Sequence, residues 1–166
     1  MSKKAAEMTF IDHNHDHNAC RREAVERAEL ICTQRSVRLT DIRKRVFELV
    51  WRGHKPLGAY EILDALQKER SGAVPPTVYR ALDFLLEHGL IHRIERLNAF
   101  VGCSDPETPH LAQFLICAKC GTTAELNDTR IDAAINDQAK AVGFSVLRRT
   151  IEVEGTCPHC TKASSQ

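Results

Sequence analysis

The chain has 166 residues, 43% of them hydrophobic, with 23 Lys and Arg against 22 Asp and Glu and seven cysteines. That length suits two small domains, each marginal unless helped by metal or association. No apolar run is long enough for a signal peptide or a membrane span, which predicts a cytoplasmic protein without a membrane partner, whose thiols are ligands or core groups rather than disulfides.

The near-neutral total hides an asymmetry, because residues 20–100 carry 15 Lys and Arg against 11 Asp and Glu, and residues 101–166 carry 6 against 8. A basic front half is a weak pointer to nucleic acid by itself, since solvated helix faces often carry such an excess.

Residues 1–19, with the tract HNHDH, have almost no apolar spacing and read as a disordered tail. Histidines in a flexible tract bind metal loosely at best, and no role is assigned to His13, His15 or His17. From Arg21 the apolar residues Val25, Ala28, Ile31 and Cys32 recur at helical spacing, which makes Cys32 a core thiol. Thr40 is placed to cap a second helix, DIRKRVFELVWR, which Gly53 ends. A third helix, GAYEILDALQKE, follows, with Ile62, Leu63 and Leu66 inward and Tyr60, Asp64 and Gln67 elsewhere on its surface.

After SGAVPP the fourth helix, TVYRALDFLLEHG, opens at Thr77 and closes at Gly89. Val78, Leu82, Leu85 and Leu86 face inward and leave Tyr79 and Arg80 outward near the N-terminus, where a recognition helix presents side chains to base edges. LIHRIER and AFVGC then alternate around Leu97 and Asn98 as a hairpin, so three helices and a hairpin describe a winged helix. Beyond Pro106 and Pro109 come a strand, LAQFLIC, a short strand to about Leu126, a helix over 129–142, a stop at Gly143 and a strand around SVLRRTIEV. The fold class is therefore α+β, with a tail at 1–19, a winged-helix DNA-binding domain at 20–104, a small zinc-clamped domain at 105–161 and a tail at 162–166.

Cys117 and Cys120 in ICAKCG, and Cys157 and Cys160 in GTCPHC, form two Cys-x-x-Cys knuckles. Two residues between cysteines let one tight turn aim both sulfurs at a single ion, and two such turns complete the tetrahedron that zinc prefers. His159 sits inside the second knuckle and reads as exposed. Outside the knuckles, His92, Cys103 and His110 gather around the hairpin and the domain boundary, and Glu125 could complete a second four-donor set tying the two domains together. Two imidazoles, a thiolate and a carboxylate suit zinc better than the harder iron(II) or manganese(II), although each residue also has a plain structural explanation.

With PPTVYRALDFLLEHGLIHRIE, a strand ending in Cys, a lone His and then ICAKCG, the sequence resembles the ferric uptake regulator family from about residue 24 to Cys160, and within it the zinc uptake regulators. The resemblance implies a homodimeric zinc-dependent winged-helix repressor in which residues 105–161 are the zinc-binding dimerisation domain, not an enzyme, with no small-molecule substrate. It implies two zinc ions per subunit, a structural one on Cys117, Cys120, Cys157 and Cys160 and a regulatory one on His92, Cys103, His110 and Glu125. DNA contacts would come from Arg38, Tyr60, Thr77, Tyr79 and Arg80, on a palindromic operator controlling zinc-uptake genes. Two departures matter. The segment TPHLAQF just ahead of the first knuckle offers only His110, where iron regulators carry several histidines with an aspartate, which disfavours an iron or peroxide sensor; an iron- or other-metal-responsive regulator of the same family is the alternative reading. Gln67 follows Asp64 where some zinc regulators have an Arg that links neighbouring dimers, so cooperative binding of two dimers is not assumed. A zinc hydrolase or deaminase lacks its general-base motif here, and a redox adapter leaves Tyr79 and Arg80 without a use.

Overall fold

A computed structural model describes residues 10, 16–69, 72–108 and 110–163, so His13 and His15 lie outside the described residues. The chain forms two compact units that divide between residues 109 and 110. No described helix is long and apolar enough to cross a membrane.

The first unit opens with α1 (His17–Gln34), which begins four residues before the expected Arg21. The cause is Asp16, whose carboxylate accepts the Asn18 and Ala19 amides at 2.9 and 3.2 Å and so satisfies donors that a helix start leaves open. Helix α2 (Asp41–Val50) follows Thr40, which sits in extended conformation at the N-cap but contributes no side-chain cap bond. A two-residue strand, β1 (Leu57–Gly58), leads directly into α3 (Ala59–Glu69).

Helix α4 spans Pro75–Glu87, so it starts at the first of the two prolines and not at Thr77. Proline fits the first turn because its missing N–H would have had no helical partner and its φ is already helical. Gly89, at φ +64°, turns the chain out of the helix in the left-handed region that glycine tolerates. The wing is β2 (Ile91–Ile94) and β3 (Ala99–Gly102), antiparallel with Ile91 opposite Gly102 and His92 opposite Val101. Asn98 makes the turn at φ +47°, with its side-chain Oδ1 accepting from Arg93 Nη2 at 2.8 Å. Strand β1 adds to the far side of β3, giving the order β1-β3-β2.

These elements share one core, in which Val46, Val50, Ile62, Leu66, Val78, Leu82, Leu85, Leu90 and Ile91 are each no more than 1% exposed. Fully burying a side chain of this size stabilises by roughly 1.5–3 kcal/mol. Leu86, expected inward, is only partly buried, and Ala81 and Phe84 complete the inner face of α4 in its place. Trp51 lies across the wing so closely that a Cβ on Gly102 would stand 2.1 Å from its ring.

The second unit contains β4 (Gln113–Cys117), β5 (Thr123–Leu126), α5 (Thr129–Ala141), β6 (Ile151–Gly155) and α6 (Pro158–Ala163). Its sheet has the order β5-β4-β6, with β4 antiparallel to β5 and parallel to β6. A parallel pair needs a crossover, which α5 provides. Asp128 caps α5 by accepting the Arg130 amide at 2.9 Å, and Gly143 ends it at φ +72°. The strand expected around SVLRRTIEV begins only at Ile151, because residues 144–150 have no strand of this sheet beside them. The core is small. Phe114 and Ile116 are its large buried apolar side chains among the described residues, whereas α5 has no fully buried residue and Val142, Phe144 and Leu147 are 80%, 66% and 98% exposed.

Candidate metal centres and nucleic-acid face

In the second unit β4 ends at Cys117 and β6 ends at Gly155, its parallel partner in register, so both knuckles leave the sheet at the same end. The Sγ atoms of Cys117, Cys120, Cys157 and Cys160 all lie within 4.8 Å of one another. Cys120 and Cys157 are 3.7 Å apart through sulfur. Four sulfurs about 2.3 Å from a tetrahedral zinc are separated by about 3.8 Å, so the set fits that ion.

Backbone donors reinforce the fit. The Cys157 amide donates to Cys117 Sγ at 3.3 Å and the Cys160 amide to Cys157 Sγ at 3.4 Å. The Cys157 and then the Cys120 N–H draw the Cys117 thiol down to about 6, so its thiolate forms readily. Thr122 Oγ1, 3.3 Å from Cys120 Sγ, lowers that thiol too. Burial, followed by the neighbouring cysteine sulfurs, pushes Cys160 up to about 12. Gathering several thiolates in one place is unfavourable without a cation between them, and a divalent soft-ligand metal removes that conflict. Thr122 was not among the sequence candidates. Its signal is a hydroxyl two residues past the first knuckle, and its amide carbonyl also accepts from Cys117 at 2.9 Å.

Of the other four candidate donors, two lie on each unit. In the first unit the Cys103 amide donates to Leu90 O at 3.1 Å, extending the β2–β3 ladder by one pair. Since side chains on a strand alternate faces, His92 and Cys103 become diagonal neighbours on one face of the hairpin. Their ligand atoms are within 4.8 Å of each other, and Cys103 is buried. In the second unit, His110 Nε2 and a Glu125 carboxylate oxygen are 2.6 Å apart, with both side chains 7% exposed. Glu125 stands on β5 opposite Phe114, and His110 lies just ahead of β4.

The proposed DNA-contacting residues all belong to the first unit. Tyr60 on α3 is 71% exposed and Tyr79 on α4 is 45% exposed, with Arg80 beside it also exposed. Thr77 is half-buried in the first turn of α4, where its amide donates to Val74 O at 2.9 Å. Arg38 has an exposed side chain in the segment before α2, and its carbonyl accepts from Arg43 at 2.7 Å. Gln67 is turned back within the chain, donating to Ala73 O at 3.0 Å.

The model of the ferric uptake regulator family matches residues 34–154. The zinc uptake regulation protein of Escherichia coli strain K12 is 38% identical over 144 residues, covering 86% of this chain and 84% of that protein. A solved structure of a zinc uptake regulator complexed with zinc and DNA is 37% identical, with a TM-score of 0.83 over 88% of this chain and 98% of that one. Holo XcZur is 42% identical, with a TM-score of 0.76 over 83% and 96%. On this evidence the chain belongs to the ferric uptake regulator family and is a DNA-binding transcription regulator, not an enzyme.

Proposed function

We propose that the protein is a zinc-responsive repressor whose zinc-loaded homodimer binds a palindromic operator and shuts down zinc-uptake genes. The observation that carries this reading is the likeness, over 88% of the chain, to a zinc uptake regulator solved with zinc and DNA. Cys117, Cys120, Cys157 and Cys160 would hold a structural ion, and His92, Cys103, His110 and Glu125 a regulatory one. When bound, zinc supplies a closed four-coordinate cross-link with no open position for chemistry. The donor chemistry supports zinc over iron(II), since a buried thiol belongs to the proposed regulatory set and the segment TPHLAQF directly ahead of the first knuckle has one histidine.

The remaining work falls to the chain's own residues. His92 and Cys103 ride on the wing, and Cys103 is bonded to Leu90 just beyond the end of α4. A constraint on these two side chains is therefore felt at the helix that carries Thr77, Tyr79 and Arg80. Arg80 would read guanine edges, Tyr79 and Tyr60 would meet thymine methyls or phosphates, and Arg38 would enter a narrow minor groove. Val142, Phe144 and Leu147 of the second unit are large apolar side chains left exposed in the single chain, which supports a homodimer.

Metal content and DNA affinity measured together at fixed salt test the reading. Two zinc ions per chain are expected, with duplex binding lost in a chelator and restored by zinc. Restoration by iron(II) but not zinc would replace this proposal with an iron regulator. Sedimentation should give a dimer, and Leu147→Glu should shift it toward monomer.

A further inference from the structure

The segment after Cys103 is held by Arg27 of α1 and by Arg35, the residue that caps the C-terminal end of that helix. Arg27 Nη1 donates to Ser104 O at 3.2 Å. Arg35 uses both arms of its guanidinium, Nη1 donating to His88 O at 2.6 Å and Nη2 to Pro106 O at 3.4 Å. His88 is the C-cap of α4, so its carbonyl is near those a helix end leaves without an internal partner. One side chain therefore spans the end of the recognition helix and the backbone three residues beyond Cys103. The Cys103 amide on Leu90 O closes the other side of the same small loop.

We propose that Arg35, assisted by Arg27, is a positioning residue that couples metal loading at Cys103 to the placement of α4. This rests on the regulatory role proposed above for Cys103. The physical ground is the fork. A guanidinium is planar, always charged and presents donors in fixed directions, so two carbonyls bonded to its two arms keep a fixed separation. With that link, ordering of the 103–106 segment is transmitted to the C-terminal end of α4. Without it, the segment can order around a ligand while α4 settles independently. Lysine keeps the charge but cannot hold both carbonyls in one plane. Both arginines are exposed, so truncating them leaves the buried face of α1 (Ala28, Ile31 and Cys32) intact.

The test uses the full chain as wild type, Arg35→Ala, Arg35→Lys and Arg27→Ala. The probe is a labelled duplex selected by the zinc-loaded wild type from a random-sequence pool. Affinity is read by anisotropy at high and at low buffered free zinc, and thermal midpoints are measured alongside. Arg35→Ala should shrink the ratio of the two affinities about tenfold, within the range by which single residues alter coupling. Arg27→Ala should shrink it less, and Arg35→Lys should recover only part. The proposal is overturned if the ratio stays at the wild-type value, if both affinities fall by one common factor, or if Arg35→Lys restores the ratio fully. If the wild type itself selects no duplex or shows no zinc dependence, the functional reading fails first, and that outcome is separate from all the others.

Discussion

Replacing Cys157 with Ser should unfold the second unit while leaving the first intact. Cys157 is 1% exposed, its sulfur lies 3.7 Å from that of Cys120, and its amide feeds Cys117. Serine puts a hard, barely ionising hydroxyl in place of a soft thiolate, which leaves three thiolate donors for zinc. The weight of that loss follows from how little else holds the unit. Its two large buried apolar side chains, Phe114 and Ile116, contribute about 3–6 kcal/mol together at roughly 1.5–3 kcal/mol each, and α5 has half-buried residues but no fully buried one. A four-donor structural zinc contributes about 10–16 kcal/mol of apparent binding energy to small domains. The ion therefore outweighs the core. Hydrogen exchange on the full chain would read the result by region. Amides in Gln113–Cys117 and Ile151–Gly155 should exchange freely in C157S, whereas Val46–Val50 and Val78–Leu85 keep wild-type protection. Protection of β4 at the wild-type level in a variant that binds one zinc fewer would show that the sheet holds itself, and the reasoning would be refuted.

Gly102→Ala should destabilise the first unit by about 1–3 kcal/mol, the usual cost of overpacking, because the new methyl meets the Trp51 ring; calorimetry would show no shift if the ring moves aside freely. Arg80→Ala should weaken specific duplex binding by about 1–3 kcal/mol if it reads a guanine, and the loss should be absent on random DNA at the same salt. Asp128 is held at about 2, below its ordinary 3.8, chiefly by the side-chain bond from Arg130 and then by its amide. Its folded value is the lower one, so its contribution to α5 is complete above pH 4 and is lost as pH falls toward 2. Carboxyl NMR titration should place its midpoint near 2 in the wild type and higher in Arg130→Ala, yet still below 3.8 because the residue-130 amide goes on donating; equal midpoints would contradict the assignment.

Features written in short-range chemistry were legible in the sequence. The knuckle spacing located the four sulfurs, the apolar spacing of α3 identified Ile62, Leu63 and Leu66, and Gly89 and Gly143 marked helix ends that require positive φ. What escaped depends on partners that no local pattern reveals. Strand β1 has two residues, too few for any alternation, and exists because β3 offers it an edge. SVLRRTIEV has strand character throughout, yet only the part lying against β4 pairs. Of the sulfur environment the thiols could be read, while the Cys157 and Thr122 donors that tune them could not. The contacts of Arg27 and Arg35 are invisible for the same reason, since their acceptors are backbone carbonyls 77, 53 and 71 residues away.

The parallel register of Cys117 with Gly155 bears on time as well as on stability. An ion bound by the four cysteines joins the ends of two neighbouring strands and closes a 40-residue loop through α5. It would leave only when β4 and β6 part at that end, so its residence time is tied to the opening rate of the sheet and not to the free zinc outside. A metal exchanging that slowly carries no news of supply. Any rapid response must then come from donors that are assembled without breaking a strand pair.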